Sequence, residues 1–295
     1  MVARVCVVGS VNADMTYTVD ELPKPGETVL ASALATAPGG KGGNQAVAAA
    51  RAGADVQLVA ALGTDASAEQ LRNHLLTNGV GLAGVTQVPG PSGSAAIIVD
   101  SGAENCIVVA PGANAHLSLS SARIRSVIAG SDVVLIQLEI PAATAATAAR
   151  IAKEAGALVI VNASPAPRPA DRQVLAALAD VVVVNETEAR DWVNGDGPRQ
   201  LVITRGAAGA RLIADGEQVD VAAPAVEPVD TTGAGDVFAG VLAAHWPDAV
   251  ATALQRACAA GALATLVHGA GDCAPSAEAV DDILGETKPT RFRSF

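Results

Sequence analysis

Val133-Val134-Leu135-Ile136-Gln137-Leu138, Leu158-Val159-Ile160-Val161-Asn162, Val181-Val182-Val183-Val184 and Leu201-Val202-Ile203-Thr204 are the runs on which the fold turns. Each is short, apolar and rich in β-branched residues, the composition of a strand buried on both faces. Helix-like segments lie between them: an Ala-rich stretch from about Ala142 to Ala155, a second near Asp171 to Ala179, and a short one after Asn185. Strands alternating with helices build βαβ units, so the expected fold is α/β, with a mostly parallel central sheet flanked by helices on both faces. Ligands of such sheets bind beyond the carboxyl ends of the strands. Glu139, Asn185 to Glu188, and Thr204-Arg205-Gly206 each follow a strand, which points to one edge of the sheet as the site.

Two segments depart from this alternation. Thr16 to Thr36 is extended, with turn residues Pro23, Pro25 and Gly26. Ser94 to Val109 reads as a hairpin, Ala95 to Val99 and Cys106 to Val109, around Ser101-Gly102. Both are expected as antiparallel strands outside the main sheet, forming a small β lid from about 13–37 and 94–109; an ordinary edge hairpin of the core is the other reading. The alternating apolar residues of 95–99 and 106–109 would leave an exposed sheet face, which a homodimer joined through the lid would cover.

The bulk composition narrows the class. A length of 295 residues suits one large α/β domain spanning 1–295 with a small appendage. The hydrophobic half is mostly Ala and Val with 2% aromatics, which implies close helix–sheet packing. A net charge of −11 argues against nucleic acid and anionic membranes as partners. Cys6, Cys106, Cys258 and Cys273 form no C-x-x-C pair and read as reduced thiols. The chain runs into a strand at Val5-Cys6-Val7-Val8 with no signal peptide before it, so a cytoplasmic location is expected. Lys288 to Phe295 reads as a frayed tail. His74, His116, His245 and His268 show no metal spacing.

Asp230-Thr231-Thr232-Gly233-Ala234-Gly235-Asp236, followed by an apolar helix pattern, carries the chemistry. Small residues expose consecutive N–H groups, and the helix start adds its positive dipole end, so the loop is suited to an anion. Asp236 beside it is placed to take a proton from a hydroxyl, and an anion nest with an adjacent base describes phosphoryl transfer to an alcohol. A helix-capping turn with Asp as N-cap accounts for the same residues. The dinucleotide fingerprint is excluded, because Phe238 stands where its third glycine belongs; a Walker A loop is excluded, because Gly42 follows Gly40-Lys41.

Four further groups accompany it. Asn12 and Asp14, two apart in an extended chain, point the same way and offer donors and acceptors to vicinal hydroxyls, or else make an Asx turn. Pro38-Gly39-Gly40-Lys41-Gly42-Gly43-Asn44-Gln45 leads into the apolar helix Ala46 to Ala52, a costly composition unless backbone approaches a ligand. Asn185 and Glu188, one helical turn apart, suit water-mediated Mg²⁺ organisation and equally a capping box. Thr204-Arg205-Gly206-Ala207-Ala208-Gly209 supplies a hydroxyl, a cation and backbone N–H groups, or a plain hairpin turn.

In this order the pieces resemble the ribokinase-like (PfkB) carbohydrate kinases over nearly the whole chain. The resemblance rests on Gly9 to Asp14, Pro25-Gly26-Glu27-Thr28, Gly39 to Ala46, Pro111-Gly112-Ala113-Asn114, Gln137-Leu138-Glu139, Asn185 to Glu188 and Asp230 to Asp236. It implies ATP-dependent phosphorylation of D-ribose at its 5-hydroxyl; deoxyribose, a nucleoside such as adenosine, or a catalytically silent sugar-binding protein are the alternatives. It implies Asp236 as catalytic base, with Gly233, Ala234 and Gly235 as anion hole. Asn12, Asp14, Gly40, Lys41, Asn44 and Glu139, with Gly42 and Gly43 in the same loop, match sugar contacts. Asn185, Thr204, Gly206 and Gly209 match nucleotide contacts, together with Arg205, Ala207, Ala208, Gly235 and Cys258. Glu188 matches the residue governing Mg²⁺ and phosphate. A monovalent-cation (K⁺) loop would use Asp230 and Thr232 with Ala264, Val267, Gly269 and Cys273. Gly43 stands where the family more often has Ala, Cys258 where it has Asn beside adenine, and Cys273 where it has Ser.

Overall fold

The computed structural model describes residues 2–102, 104–193 and 197–286, and the tail expected at 288–295 lies outside them. The chain opens with β1 (Arg4–Val8), β2 (Asn12–Thr18) and β3 (Ala33–Gly39), then α1 (Lys41–Arg51), β4 (Asp55–Leu62), α2 (Ala66–Thr77) and β5 (Gly81–Gln87). β6 (Gly93–Val99), β7 (Asn105–Ala110), α3 (Ala122–Ala129), β8 (Val133–Gln137), α4 (Ala142–Glu154), β9 (Leu158–Asn162) and α5 (Pro169–Leu178) follow. β10 (Val181–Asn185), α6 (Glu186–Ala189), β11 (Gln200–Thr204), β12 (Ala210–Ala214), β13 (Glu217–Val221), α7 (Ala234–His245), α8 (Val250–Ala264) and α9 (Ala277–Glu286) complete it.

Nine strands form the main sheet in the order β13-β12-β11-β10-β9-β8-β1-β4-β5. Neighbours pair in parallel from β11 through to β5, and only β12 and β13 run antiparallel at the edge. Alternation along each strand sorts the core into two layers. Val5 and Val7 of β1 join Leu58, Leu135, Ile160 and Val183 under α1, α7 and α8. Cys6 and Val8 join Val59, Ile136, Val161 and Val182 under α3, α4 and α5. Leu58, Leu135, Ile136 and Ile160 are all fully buried.

The Ala-rich and Gly-rich composition matters most where α1 meets α7. A Cβ on Gly240 would lie 2.4 Å from the carbonyl oxygen of Gln45 and 2.7 Å from Ala48 Cβ, so the two helices touch backbone to backbone. α7 itself is buried along almost its whole length, from Asp236 to Ala244.

The second sheet has four strands in the order β3-β2-β6-β7. It is the small sheet expected from 13–37 and 94–109, with one correction. β2 and β6 pair in parallel; only β2–β3 and β6–β7 are antiparallel. The reason is connectivity. Between β2 and β6 the chain crosses back through α1, β4, α2 and β5, and a crossover connection returns in the same direction. β7 carries Ile107, Val108 and Val109, which are exposed together with Leu30 and Leu34. Among the described residues no helix is long and apolar enough to cross a membrane.

Candidate active site

The carboxyl ends of β1, β8, β9, β10 and β11 all point to one edge, and the small sheet joins the main one there, where β2 leaves β1 after Val11. Asn12 and Asp14 lie at the base of β2 on the same face. Asn12 is buried, and its Oδ1 accepts from Asn114 Nδ2 at 2.8 Å. Asn114 also accepts from the Val11 amide at 3.0 Å, so one side chain ties the Pro111–Asn114 turn to the start of the small sheet. Asp14 faces β3. An ideal Cβ on Gly39 would stand 2.0 Å from Asp14 Oδ2, so glycine there makes the room the carboxyl occupies. Asp14 Oδ1 is buried with no hydrogen-bond partner among the described residues.

The Gly-rich segment is shorter as a loop than its composition predicts. Helix α1 begins at Lys41, five residues before the Ala46 expected from the apolar pattern, so Lys41, Gly42, Gly43 and Asn44 form its first turn. Gly40 caps it at φ 84°, and its missing Cβ leaves room for the backbone of Val11 and Asn12. Gly42 is pressed against Ser10 and Gln137. The amides of Gly42 and Ser10 approach the same terminal atom of Gln137 at 3.1 and 3.2 Å, which makes that atom the amide oxygen. Glu139, following β8, sits at the helix N-terminus. It accepts from Ser10 Oγ at 2.6 Å and from the Lys41 amide at 3.2 Å, where the dipole favours an anion.

On α7 the helix starts at Ala234, with Gly233 as cap in the left-handed region at φ 80°. Asp236 is therefore the third residue of the helix, which excludes its reading as the N-cap. A side chain on Gly233 would fall 2.8 Å from Ala270 Cα and 3.1 Å from Cys273 Sγ. The first-turn N–H groups of an α-helix lack intrahelical partners. Of the anion-hole residues, Ala234 turns its N–H toward Thr231 O at 3.3 Å, while those of Gly235 and Asp236 belong to that unpaired first turn. Asp236 is 7% exposed, and both its oxygens are held: Asn44 Nδ2 donates to Oδ2 at 3.1 Å and Gln45 Nε2 to Oδ1 at 3.0 Å.

Charge gathers around Lys41. Negative charge on Asp236, Glu139 and Glu188 makes the Lys41 ammonium hold its proton more tightly than usual, although burial works against this. Asp14 behaves oppositely. Burial, with Glu139 and Asp236 nearby, pushes its carboxyl up from 3.8 to about 7. Since the folded-state value is raised, burying the neutral acid stabilises the free protein below the ordinary carboxylate range, and that stability is lost as pH rises through about 7. A sugar whose hydroxyls donate to the ionised carboxyl relieves this. The KM for the sugar that the resemblance implies is expected to fall as pH rises through about 7, and Asp14→Asn to flatten the dependence; steady-state kinetics across that range checks both.

The residues expected at the nucleotide lie at the ends of β10 and β11. Asn185 and Glu188 form the capping box: Asn185 Oδ1 accepts from the Glu188 amide at 2.8 Å and Glu188 Oε2 from the Asn185 amide at 2.9 Å. Thr204 Oγ1 donates to Val184 O at 3.3 Å. Gly206 to Ala208 is a single 3₁₀ turn within the β11–β12 hairpin, the hairpin turn expected for that segment. Arg205 is drawn into an ion pair with Asp220 at 3.0 Å, which Arg211 shares. Gly209, at φ 86°, would drive a Cβ to 2.0 Å from Val221 O, and Cys258 on α8 points its sulfur at the same carbonyl, 3.8 Å away. Burial pushes the Cys258 thiol up to about 12, so it stays neutral.

Of the cation-loop residues, Asp230, Thr232 and Gly269 are brought together. Asp230 accepts from the Thr232 amide at 2.8 Å and the Gly269 amide at 2.9 Å. The Ala264 carbonyl takes the Val267 N–H at 3.3 Å. Cys273 lies 3.9 Å from Thr232 O and 3.3 Å from Ala270 O. Arg51, at the end of α1, holds this segment from behind through Asp272 O at 2.9 Å and Ala274 O at 2.6 Å. Ser10, Gln45, Asn114, Gln137 and Asn162 make hydrogen bonds within this group that residue chemistry alone does not single out. The first four stand inside the quoted motifs, but their partners are 32 to 191 residues away in sequence.

The model of the pfkB family carbohydrate kinases matches residues 2–277. The chain belongs to that family. It is 36% identical over 292 residues to a ribokinase of Bacillus subtilis (strain 168), covering 95% of this chain and 99% of that one. It is 32% identical over 302 residues to a deoxyribokinase of Salmonella typhi, covering 95% and 98%. The Arabidopsis thaliana ribokinase solved in complex with ribose and ATP superposes with a TM-score of 0.87 at 30% identity, covering 96% of this chain and 99% of that one. These family relationships agree with the α/β fold and the small sheet expected from the sequence.

Proposed function

We propose that the protein transfers the γ-phosphoryl group of ATP to the 5-hydroxyl of D-ribose. The observation that carries this is Asp14 Oδ1, a buried carboxylate oxygen with no partner among the described residues, beside Asn12, Lys41, Asn44 and Glu139. A buried unpaired acceptor is costly, and a ribose hydroxyl donor removes that cost. Asn12 spends its oxygen on Asn114, which leaves its NH₂ for the sugar. The similarity to ribokinases, one of them bound to ribose and ATP, supports the same assignment.

In the reaction the sugar oxygen attacks the γ-phosphorus, its proton passes to Asp236, and the bond to the β–γ bridging oxygen breaks to release ADP. The exposed N–H groups at the start of α7 stabilise the negative charge on the transferred group. Lys41 adds positive charge to the cleft. Glu188, a carboxylate one turn into the β10–α6 junction, would hold a Mg²⁺ ion through water, and that ion would supply positive charge against the phosphates. Asn185, Thr204, Gly206 and Gly209 line the nucleotide side.

A panel of ribose, deoxyribose and adenosine, compared by kcat/KM, tests the substrate. Ribose is expected to lead; a clearly higher value for another acceptor removes the assignment. Deoxyribose is the second reading, favoured by the Salmonella relative. Ribose binding by calorimetry without ATP turnover would instead make the protein a sugar-binding module.

K⁺ suits the oxygens gathered at Asp230 and Thr232, and an ion there would stiffen the loop before the anion hole. Activity is expected to rise in potassium over a large organic cation at matched ionic strength; equal rates would exclude the site. The exposed β7 residues Ile107, Val108 and Val109 support a homodimer through the lid, and light scattering at assay concentration is expected to give twice the chain mass. A monomer would leave that face without its partner. The four free cysteines suit the reducing cytoplasm.

A further inference from the structure

Gln45 takes no part in the sugar or nucleotide contacts described above, yet its side chain is fully buried beside the base. It follows Asn44 in α1. Its Nε2 donates to Asp236 Oδ1 at 3.0 Å and to Asn162 Oδ1 at 3.1 Å. Asn162, at the end of β9, is anchored in turn by its Nδ2 on Val183 O at 3.3 Å. Asn44 holds the other oxygen of Asp236 at 3.1 Å. The bare backbone of Gly240 lets α7 approach α1 closely enough for this reach, since a Cβ there would lie 2.4 Å from Gln45 O.

We propose that Gln45 is a positioning residue for phosphoryl transfer, whose amide, bonded to Asp236 Oδ1, keeps that carboxylate turned toward the reacting hydroxyl. The proposal rests on reading Asp236 as the base. A hydrogen bond given to the charged form of an acid favours that form, and a charge-assisted bond also fixes geometry. Asp236 has few other sources of such support. Lys41 from α1 is the cation of the cleft. Asp14 from β2, Glu139 after β8 and Glu188 from α6 are acidic, and the neutral Cys273 thiol faces it from the 269–274 segment.

The test compares Gln45→Met and Gln45→Glu with the parent through the pH profile of kcat, which reports the enzyme with sugar already bound. Gln45→Met keeps the length and loses both donated bonds. Its kcat is expected to fall about 10-fold to 10²-fold, with the acid limb moved to higher pH, while ribose binding by calorimetry stays within about threefold. Gln45→Glu is expected to move the acid limb further, because two adjacent carboxylates share one proton. Asp236→Asn is the reference, and Gln45→Met added to it is expected to cost nothing more. A folded Gln45→Met variant with the parent's kcat and acid limb overturns the proposal, as does an equal loss in the Asp236→Asn background. If Gln45→Met does not give a cooperative melt, the near-isosteric Gln45→Glu decides by its profile. Near-normal turnover of Asp236→Asn alone would instead remove the base reading itself.

Discussion

Asp236→Asn is expected to lower kcat for ribose phosphorylation about 10²–10⁴-fold, the usual contribution of a general base. A sugar hydroxyl is a poor nucleophile until its proton is accepted as the bond to phosphorus forms. Asp236 is the carboxylate at the start of α7, adjacent to the N–H groups suited to the phosphoryl group. The amides of Asn44 and Gln45 hold it at 3.1 and 3.0 Å, so its position is set before substrate arrives. Asparagine keeps the shape of the side chain and removes its basicity. Ribose affinity is expected to change far less, because Asn12, Asp14, Lys41, Asn44 and Glu139 remain. Initial rates under saturating ribose and ATP, with calorimetric ribose binding on the same preparation, separate the two quantities. Turnover close to the parent's in a variant that melts cooperatively would take the central residue out of this mechanism.

Gly39→Ala is expected to do the opposite: raise ribose KM about 10-fold to 10²-fold while leaving kcat at saturation much closer to the parent's. The added methyl would begin 2.0 Å from Asp14 Oδ2 and 2.3 Å from its Cγ, which no real contact tolerates. Since the obstacle is the end of a side chain, the backbone survives and the carboxyl swings away. The sugar then loses hydrogen bonds to a charged group, each about 1.5–3 kcal/mol. Asp236 and the start of α7 lie on another element and keep their geometry. Calorimetric titration with ribose reads the loss directly. Parent-like affinity would mean that Asp14 is not placed by the space above Gly39.

The fold was legible because its signal is local. β-branched runs such as Val181 to Val184 alternate with Ala-rich helices, and that period specifies a parallel sheet whatever the tertiary detail. The end of the sheet was legible for the same reason, since Glu139 lies just past β8 while Asn185 and Thr204 end β10 and β11. The strand direction in the small sheet was not. Pairing in parallel or antiparallel depends on what intervenes between β2 and β6, not on the residues of either strand. The start of α1 was also missed. Glycine and lysine read as loop by composition, but packing of Gly42 against Ser10 and Gln137 winds Lys41 to Asn44 into the helix.

What the sequence by itself determined is the chemistry present: a carboxylate after a small-residue loop, an Asn and an Asp two apart, a lysine among glycines, and a family pattern running from residue 2 to 277. Those are properties of short segments, where neighbours along the chain set backbone freedom and side-chain direction. What only the tertiary structure decided is which groups hold which. Gln45 reaches Asp236 across 191 residues, Ser10 reaches Glu139 across 129, and Asn114 fixes Asn12 across 102. Such pairs depend on how closely helices and sheets approach. At Gly240 and Gly39 that approach is possible because a Cβ is missing, a steric fact with no trace in residue type until the opposing backbone or carboxyl is in place.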